Sequence, residues 1–588
     1  MIDKLFYLDG ISIWFIAIIS LLFALGLTYG TDDIKHYKEH RRAVRWHWIM
    51  YFVAFASMLA LFGVKHSLLF LVCWEFMALS SFFLIIFESW KKDVIKAGMN
   101  FFIQSHISVL FLTAGFIAMA DLTGTYNFDA WMMYEGDSTL PFILCCIGFA
   151  IKAGFVPFHT WLPLAHPAAP AHISGVMSAV IIKMGIYGII RSIFWFNTNL
   201  LTAGYIILGI SAISGVYGVL LAIAQHNLKK LLAYHSIENI GIIGLGIGIG
   251  CLGLGLQSDA LASIGFIGAL MHTLGHALFK SNLFFAAGNV YHATHTLNIE
   301  RLGGLLKKMP LTGLAVLLSS IAICGLPPMN GFISEFIIYT GLFGFMYIPK
   351  AAFTIFGAIL IIALVMIGGL AIMCFAKAFS IVFLGTPRED LPEEPKEFGG
   401  LRTVPMIISV AIMAFIGLAP RIVTNLACEA LDTLGIDPGH IAENTKQLGN
   451  AAIVFVAICL ITFLVRALIN RKKKVEVGET WGCGYTAPTP KIQYTATSFV
   501  KTLVKLFGVV FGFRKEKDAI KETYPQTPIR YSSENYDKIE SALIEKPVKG
   551  YMKFTSLFAF LENGKIQSYI LYGIIFIVAV CLIALILC

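Results

Sequence analysis

Apolar runs of about twenty residues, parted by short polar links, recur along most of the chain. They fall at 11–29, 48–64, 67–87, 99–119, 141–164, 172–196, 200–224, 231–256, 261–290, 310–345, 352–384, 404–424, 451–469 and 566–587. A helix of about twenty apolar residues crosses the hydrocarbon layer. Lipid offers the backbone no other hydrogen-bonding partners, so a run of this length is read as a helix. The pattern predicts an all-α polytopic membrane protein with about 14 transmembrane helices. The first run has no basic leader and no small-residue cleavage site before or after it, and is read as a mature span.

The count turns on Pro327–Pro328, which either separate two spans or interrupt one. Loop charge decides between them. Lys35, Lys38, Arg41, Arg42 and Arg45 follow the first run, and Lys91, Lys92 and Lys96 the third. Lys229 and Lys230 follow the seventh, and Arg301, Lys307 and Lys308 the ninth. These loops share one side, which the positive-inside rule makes cytoplasmic. The loop after the fourth run holds Asp121, Asp129, Glu135 and Asp137 and no Lys or Arg, as an outside loop should. A single interrupted span at 310–345 also puts the basic stretch 471–474 inside, whereas two spans would not. Both termini are then expected outside a prokaryotic cytoplasmic membrane, with 471–565 in the cytoplasm.

Prolines 157, 163, 167 and 170 break the fifth run in the same way. The two broken runs stand five spans apart and so enter from opposite sides. That is the signature of two inverted repeats, in which ion sites sit near the midplane on discontinuous helices. The expected organisation is 1–98 for the first spans, 99–224 for a first half broken near 157–170, and 225–400 for an inverted second half broken near 327–335. Peripheral spans follow at 401–470, then a polar segment at 471–565, then an anchor at 566–588. Within the polar segment Phe499, Val500, Leu503, Val504, Phe507, Val510 and Phe511 recur at helical spacing beside Lys501 and Lys505. This describes an amphipathic helix, lying either laterally on the membrane surface or against a protein partner.

Composition narrows the classes further. The 588 residues are 57% hydrophobic and 13% charged, more apolar surface than a soluble protein can hide. The net charge of +9 is accounted for by inside loops rather than by a nucleic-acid surface, so lipid and protein are the expected partners. Eleven cysteines are scattered, with Cys145–Cys146 the one close pair and no CxxC, which argues against iron–sulfur, zinc or disulfide frameworks. There is no glycine-rich phosphate loop, so no nucleotide site is indicated.

Against this apolar background a few ionisable residues stand out. A charge in hydrocarbon costs several kcal/mol, so such a group faces protein or a wet cavity and marks function. Lys152 lies just before the first break and Lys183 deep in the next run. Lys152 could instead snorkel to the headgroups; Lys183 is too central for that. Glu75 lies in the middle of SLLFLVCWEFMALSSFFLII, where a lysine from a neighbouring span is its natural partner; a static ion pair is the plainer reading. His272, His276 and Lys280 recur every fourth residue and share one helix face, as a proton relay would. The rival metal site lacks a third ligand. Glu335 follows the second break, in GLPPMNGFISEF. His235, Glu238 and Lys377 are further polar positions in apolar runs, and His159, His166 and His172 flank the proline-rich turn, where each alone reads as structural. In chain order Glu75, Lys152, Lys183, His272, His276, Lys280 and Glu335 form a row of acids and bases that would connect two half-channels.

The motifs LVCWEFMALSSFFLI, IKAGFVPFHTWLPLAHPAAPAHISGVMSAVIIKMGIYG, LKKLLAYHSIENIG, MHTLGHALFKSNLFFAAG and LPPMNGFISEF together resemble the antiporter-like membrane subunits shared by respiratory complex I, multisubunit Na⁺/H⁺ antiporters and energy-converting hydrogenases. The likeness covers residues 1 to about 430. AYHSIENIG and the stretch 479–499 are most similar to the large antiporter-like subunit of formate hydrogenlyase and hydrogenase-4 type complexes. The resemblance implies a proton path of Glu75 with Lys152, then Lys183, then Lys280 with its histidines, ending at Glu335. It also implies a lateral helix followed by one more span. It implies no redox cofactor in this chain, with nickel–iron and iron–sulfur centres in partner subunits, and a non-catalytic transport role within an oxidoreductase complex. Two departures accompany it. Related chains usually carry two further spans before the first one here, which are expected to be absent or supplied by another subunit. The run after Glu75 reads FFIQSHISVLF and lacks the acid that some members have. The alternatives are a standalone or Mrp-type Na⁺/H⁺ antiporter subunit without a redox partner, and a scaffold that has lost transport.

Overall fold

The computed structural model describes residues 6–389, 391, 393–471, 473, 484–485, 487, 489–490, 492–508, 511–517, 531–559 and 570–578. The chain forms two compact units, Met1–Phe507 and Gly508–Cys588. Among the described residues, ten helical stretches are long and apolar enough to cross a membrane, and two apolar helices are shorter. The expected span at 566–587 lies outside the described residues except for helix at 570–578.

The first stretch, Gly10–Gly63, bends at Tyr37 into α1 (Gly10–Asp33) and α2 (Arg41–Gly63). Asp9 caps α1 through the Ser12 amide at 2.8 Å, and its carboxylate takes a two-pronged ion pair from the buried Arg191, both contacts at 2.5 Å. Next come α3 (Ser67–Ile85) and α4 (Lys92–Thr123). The first broken run is α5 (Thr139–Ala153) and α6 (Leu162–Ala168). It is followed by α7 (Ala171–Trp195), which opens into a π turn at Met177–Ile181. Then follow α8 (Leu200–Ile223), α9 (Leu228–Gly255) and α10 (Asp259–Thr294). The second broken run is α11 (Pro310–Ile323) and α12 (Asn330–Gly344), and α13 (Ala351–Phe383) comes after it.

Both interruptions are built alike. Each opens on a glycine at positive φ, Gly154 at 82° and Gly325 at 62°, a conformation that side chains rarely adopt. Each also contains a cis X–Pro bond, Val156–Pro157 and Pro327–Pro328. The run at 404–424 behaves differently from its expected single span: α14 (Thr403–Leu418) stops and α15 (Pro420–Asp432) starts afresh. Pro420 cannot continue α14 but fits the first turn of a new helix. The last long helix of this unit is α16 (Ile441–Asn470).

The centre of the unit is α7, α9 and α10, enclosed along nearly their whole length, whereas α16 is exposed along most of its own. The central helices are also the ones that carry most of the interior charge.

The amphipathic pattern is realised as α17 (Ala496–Leu506), whose Ala496 and Val500 are buried; it packs on α13 and on the turn at Ile299–Arg301. The helix stops five residues short of the pattern's end, since Gly508 disfavours its continuation and Phe511 already lies in a strand. Residue 510 lies outside the described residues. In the second unit, β1 (Phe511–Lys517) and β2 (Tyr531–Asp537) pair antiparallel from Phe511 opposite Asp537 to Lys517 opposite Tyr531, and a helix α18 (Lys546–Ser556) follows.

Candidate functional site

Lys152 sits in the last turn of α5, where the exposed carbonyls of the interrupted helix favour a cation. Its amine lies 3.5 Å from the Ser105 hydroxyl and 4.6 Å from the centre of the Phe101 ring. Ser105 and its neighbour His106 belong to α4, which packs between α3 and α5. The sequence suggests Glu75 and a lysine as partners; among the described residues no hydrogen bond or ion pair is formed directly between Glu75 and Lys152. Glu75 Oε2 faces His106 Nε2 at 3.7 Å, and the next residue of α4 before it, Ser105, is the one that Lys152 approaches. Lys152 is buried, while the Glu75 and His106 side chains are 30% and 40% exposed on the flank of the chain.

Lys183 follows the π turn of α7, a feature that widens a helix locally and recurs at functional sites. Its amine donates to the Ser178 carbonyl at 2.5 Å and meets Nδ1 of His276 at 2.5 Å. One turn along α10, His272 contacts Asn239 Oδ1 of α9 at 3.1 Å through Nε2 and the Ser334 hydroxyl of α12 at 2.9 Å through Nδ1. One turn the other way, the Lys280 amine donates to the Leu232 carbonyl and stands 5.7 Å from the Phe284 ring centre. On α9, His235 and Glu238 hydrogen-bond each other, both buried. Glu335 is buried in the second turn of α12, next to Ser334 and against Gly325 at the break. The structure thus brings Lys183, His272, His276, Lys280, His235, Glu238 and Glu335 into the interior formed by α7, α9, α10 and α12. Among the described residues, no direct hydrogen bond joins Lys152 to Lys183.

Lys377 is buried as well, but its contacts are of another kind. Its amine donates to the carbonyls of Ile223 at 2.6 Å and Gln225 at 3.0 Å, closing the C-terminal end of α8. His166 stacks on Phe284 with ring centres 4.9 Å apart, and His159 lies against Tyr217. His172 binds Asp33 at 2.8 Å, apart from these groups. His106, Ser105, Asn239 and Ser334 escape the sequence reading; the one signal for them is a polar residue inside an apolar run. Among the described residues, no group of three or more His, Cys, Asp and Glu side chains is arranged to hold a metal ion.

A helical membrane core with two interrupted helices and a buried row of amines, imidazoles and carboxyls defines an antiporter-like transmembrane subunit. Residues 64–362 match the family described as NADH:quinone oxidoreductase/Mrp antiporter, TM, and the chain belongs to that family. It is 33% identical to hydrogenase-4 component B of Escherichia coli (strain K12) over 542 residues, covering 88% of this chain and 79% of that one. It is 35% identical to formate hydrogenlyase subunit 3 of the same organism over 382 residues, covering 63% and 61%. Among solved structures, a chain of the membrane-bound sulfane sulfur reductase, an archaeal respiratory membrane complex, shares the fold with a TM-score of 0.73 at 22% identity, covering 98% of this chain and 89% of that one.

Proposed function

We propose that this chain translocates protons as the redox-inactive membrane subunit of a redox-driven complex of the hydrogenase type. The observation that carries the reading is the hydrogen-bonded interior set Lys183–His276 and Asn239–His272–Ser334, held by four helices. Hydrocarbon penalises buried ionisable groups by several kcal/mol, so a fold that gathers this many is organised around them. Amines and imidazoles take up and release protons, whereas a sodium site needs oxygen ligands; the chemistry of the row therefore favours H⁺. Two halves of inverted topology, each with its own broken helix, would supply one half-channel to each side.

In this reading the path runs from Glu75 and Lys152 through Lys183 and the His272–His276–Lys280 face to Glu238 and Glu335, with His235 as partner of Glu238. Nickel–iron and iron–sulfur centres would sit in partner subunits, whose electron transfer perturbs the Glu75 end of the row. The relatives named above are components of hydrogenase-4 and formate hydrogenlyase, which supports this assignment of partners. The basic loops would face the cytoplasm. The test is Glu75→Gln and Lys280→Ala in the assembled complex, with proton transport and redox turnover measured together. Transport is expected to disappear while redox turnover persists; undiminished transport in both variants would refute the assigned path.

A further inference from the structure

A second cluster of titratable side chains lies away from this row, at the helix ends that share a side with the basic loops. Asp33 closes α1, His47 stands in the second turn of α2, His172 begins α7, and His292 ends α10. Asp33 is buried and accepts from two imidazoles: His172 Nδ1 at 2.8 Å on Oδ2 and His292 Nε2 at 2.7 Å on Oδ1. The far nitrogen of His172, Nε2, meets Nε2 of His47 at 2.8 Å. His47 and His172 are 3% and 0% exposed. His47 also lines a cavity of about 910 Å³ with the exposed His40, Arg41 and Arg42 and the rings of Trp46 and Trp90. Its Nδ1 has no hydrogen-bond partner among the described residues.

The bonding order fixes a direction. A carboxylate at Asp33 takes the Nδ1–H of His172, which leaves His172 Nε2 as an acceptor for the Nε2–H of His47. His47 Nδ1, buried and without a hydrogen-bond partner among the described residues, is then the free acceptor on a residue that lines the cavity. A proton bound there makes His47 an imidazolium; its Nε2 proton passes to His172, and the Nδ1 proton of His172 passes to Asp33. Each imidazole gains one proton and loses another, so one proton passes without any residue moving; both rings are then left in the opposite tautomer and must return to the first before the next proton is taken up.

We propose that His47, His172, Asp33 and His292 form a proton-collecting site, loaded from the cavity through His47 on the side of the basic loops. The proposal rests on the proton-translocation reading above. Charged and titratable groups that face the site include His36, tilted against His292 with ring centres 4.6 Å apart, Tyr51, its ring centre 6.4 Å from that of His172, Arg402, which binds Asp32 beside Asp33, and Lys229, which donates to the Ala169 carbonyl at 2.8 Å. Glu39 and the cationic residues already named border the cavity. His292 shares α10 with Lys280 twelve residues earlier, about 18 Å along the helix. Between them Asn289 binds the Tyr29 hydroxyl at 2.9 Å, a polar step toward the central row.

The test uses the assembled complex in vesicles with the basic-loop side facing the medium, and reads the rate of proton uptake against pH. His47→Gln and Asp33→Asn are expected to slow uptake about tenfold or more and to displace its pH profile. His47→Ala leaves room beside the cavity, and added imidazole is expected to restore its uptake but not that of Lys183→Met. Uptake by His47→Gln at the unaltered rate and pH profile overturns the proposal. So does a His47→Ala defect that imidazole leaves uncorrected, which would make the cluster a clasp between helix ends. If the unsubstituted complex moves no protons, the translocation reading itself has failed, a result separate from these.

Discussion

The Lys183 amine lies 2.5 Å from Nδ1 of His276, and neither side chain is exposed. Two positive charges at that distance repel strongly in a dry interior, so one proton shared between the pair is favoured over two. Residues that act as one station give non-additive losses. Lys183→Met and His276→Leu are each expected to cut proton transport tenfold or more, and the double variant is expected to be no slower than the worse single one. Reconstituted transport of the three variants decides it: losses that multiply would mean two independent roles.

Glu75 and His106 differ from this pair in being partly exposed. They lie midway along α3 and α4, yet remain 30% and 40% exposed, beside the exposed apolar Val72, Phe76, Ile103 and Ile107. An ionisable pair on such a flank faces lipid only at a cost of several kcal/mol, so a partner helix is expected to cover it. His106→Leu should leave the purified chain as stable as before, or more so, because an apolar residue replaces a polar one on an apolar face. The same variant should lower the yield of assembled complex, measured by native mass spectrometry. An unchanged yield would mean that this flank meets no partner.

How much of this was legible in the sequence follows from what lipid makes conspicuous. A lysine in a run such as GVMSAVIIKMGIYG stands out because hydrocarbon penalises it, and prolines 157 and 327–328 announce interruptions because they cannot donate to a helix ladder. Neutral polar residues carry no such penalty, so Ser105, Asn239 and Ser334 look like ordinary helix-packing positions until the fold places them beside Lys152 and His272. Asp33, His47 and His292 hide for another reason. They lie near helix ends, where polar residues are expected, and only packing brings α1, α2, α7 and α10 to one point. Pro420 escaped because a proline starts a helix as readily as it breaks one.

Lys377 is set apart from the row by its partners. It donates to two main-chain carbonyls at the end of α8, which would be left buried and unpaired without it. Such a loss costs about 1–3 kcal/mol. Lys377→Met is therefore expected to lower the melting temperature in detergent while reducing transport per folded molecule much less than Lys183→Met does. A variant that melts normally but transports nothing would return Lys377 to the proton path.

Glu300, in the link after α10, ties down α17. Its carboxylate accepts from the Ala496 and Thr497 amides at 3.0 and 2.7 Å and from the Thr497 hydroxyl at 2.6 Å, capping the helix start together with Thr495. Burial by itself would raise the Glu300 carboxyl, but the bonds from Thr497 and Ala496, with the charge of His226, outweigh it and hold the group below the usual carboxylate range. A group depressed in the folded state stabilises above its unfolded value, and that stabilisation is lost as pH falls through its folded value. Docking of α17 is thus expected to be full at neutral pH and in mild acid, and to weaken only as pH falls below the ordinary carboxylate range. Glu300→Gln, which cannot bear the charge, should weaken docking at neutral pH by about 1 kcal/mol and remove the pH dependence. Hydrogen exchange of the amides of 496–506 measures both, and exchange that does not change between neutral and acidic pH, once corrected for the intrinsic rate, would show that Glu300 is not what holds the helix.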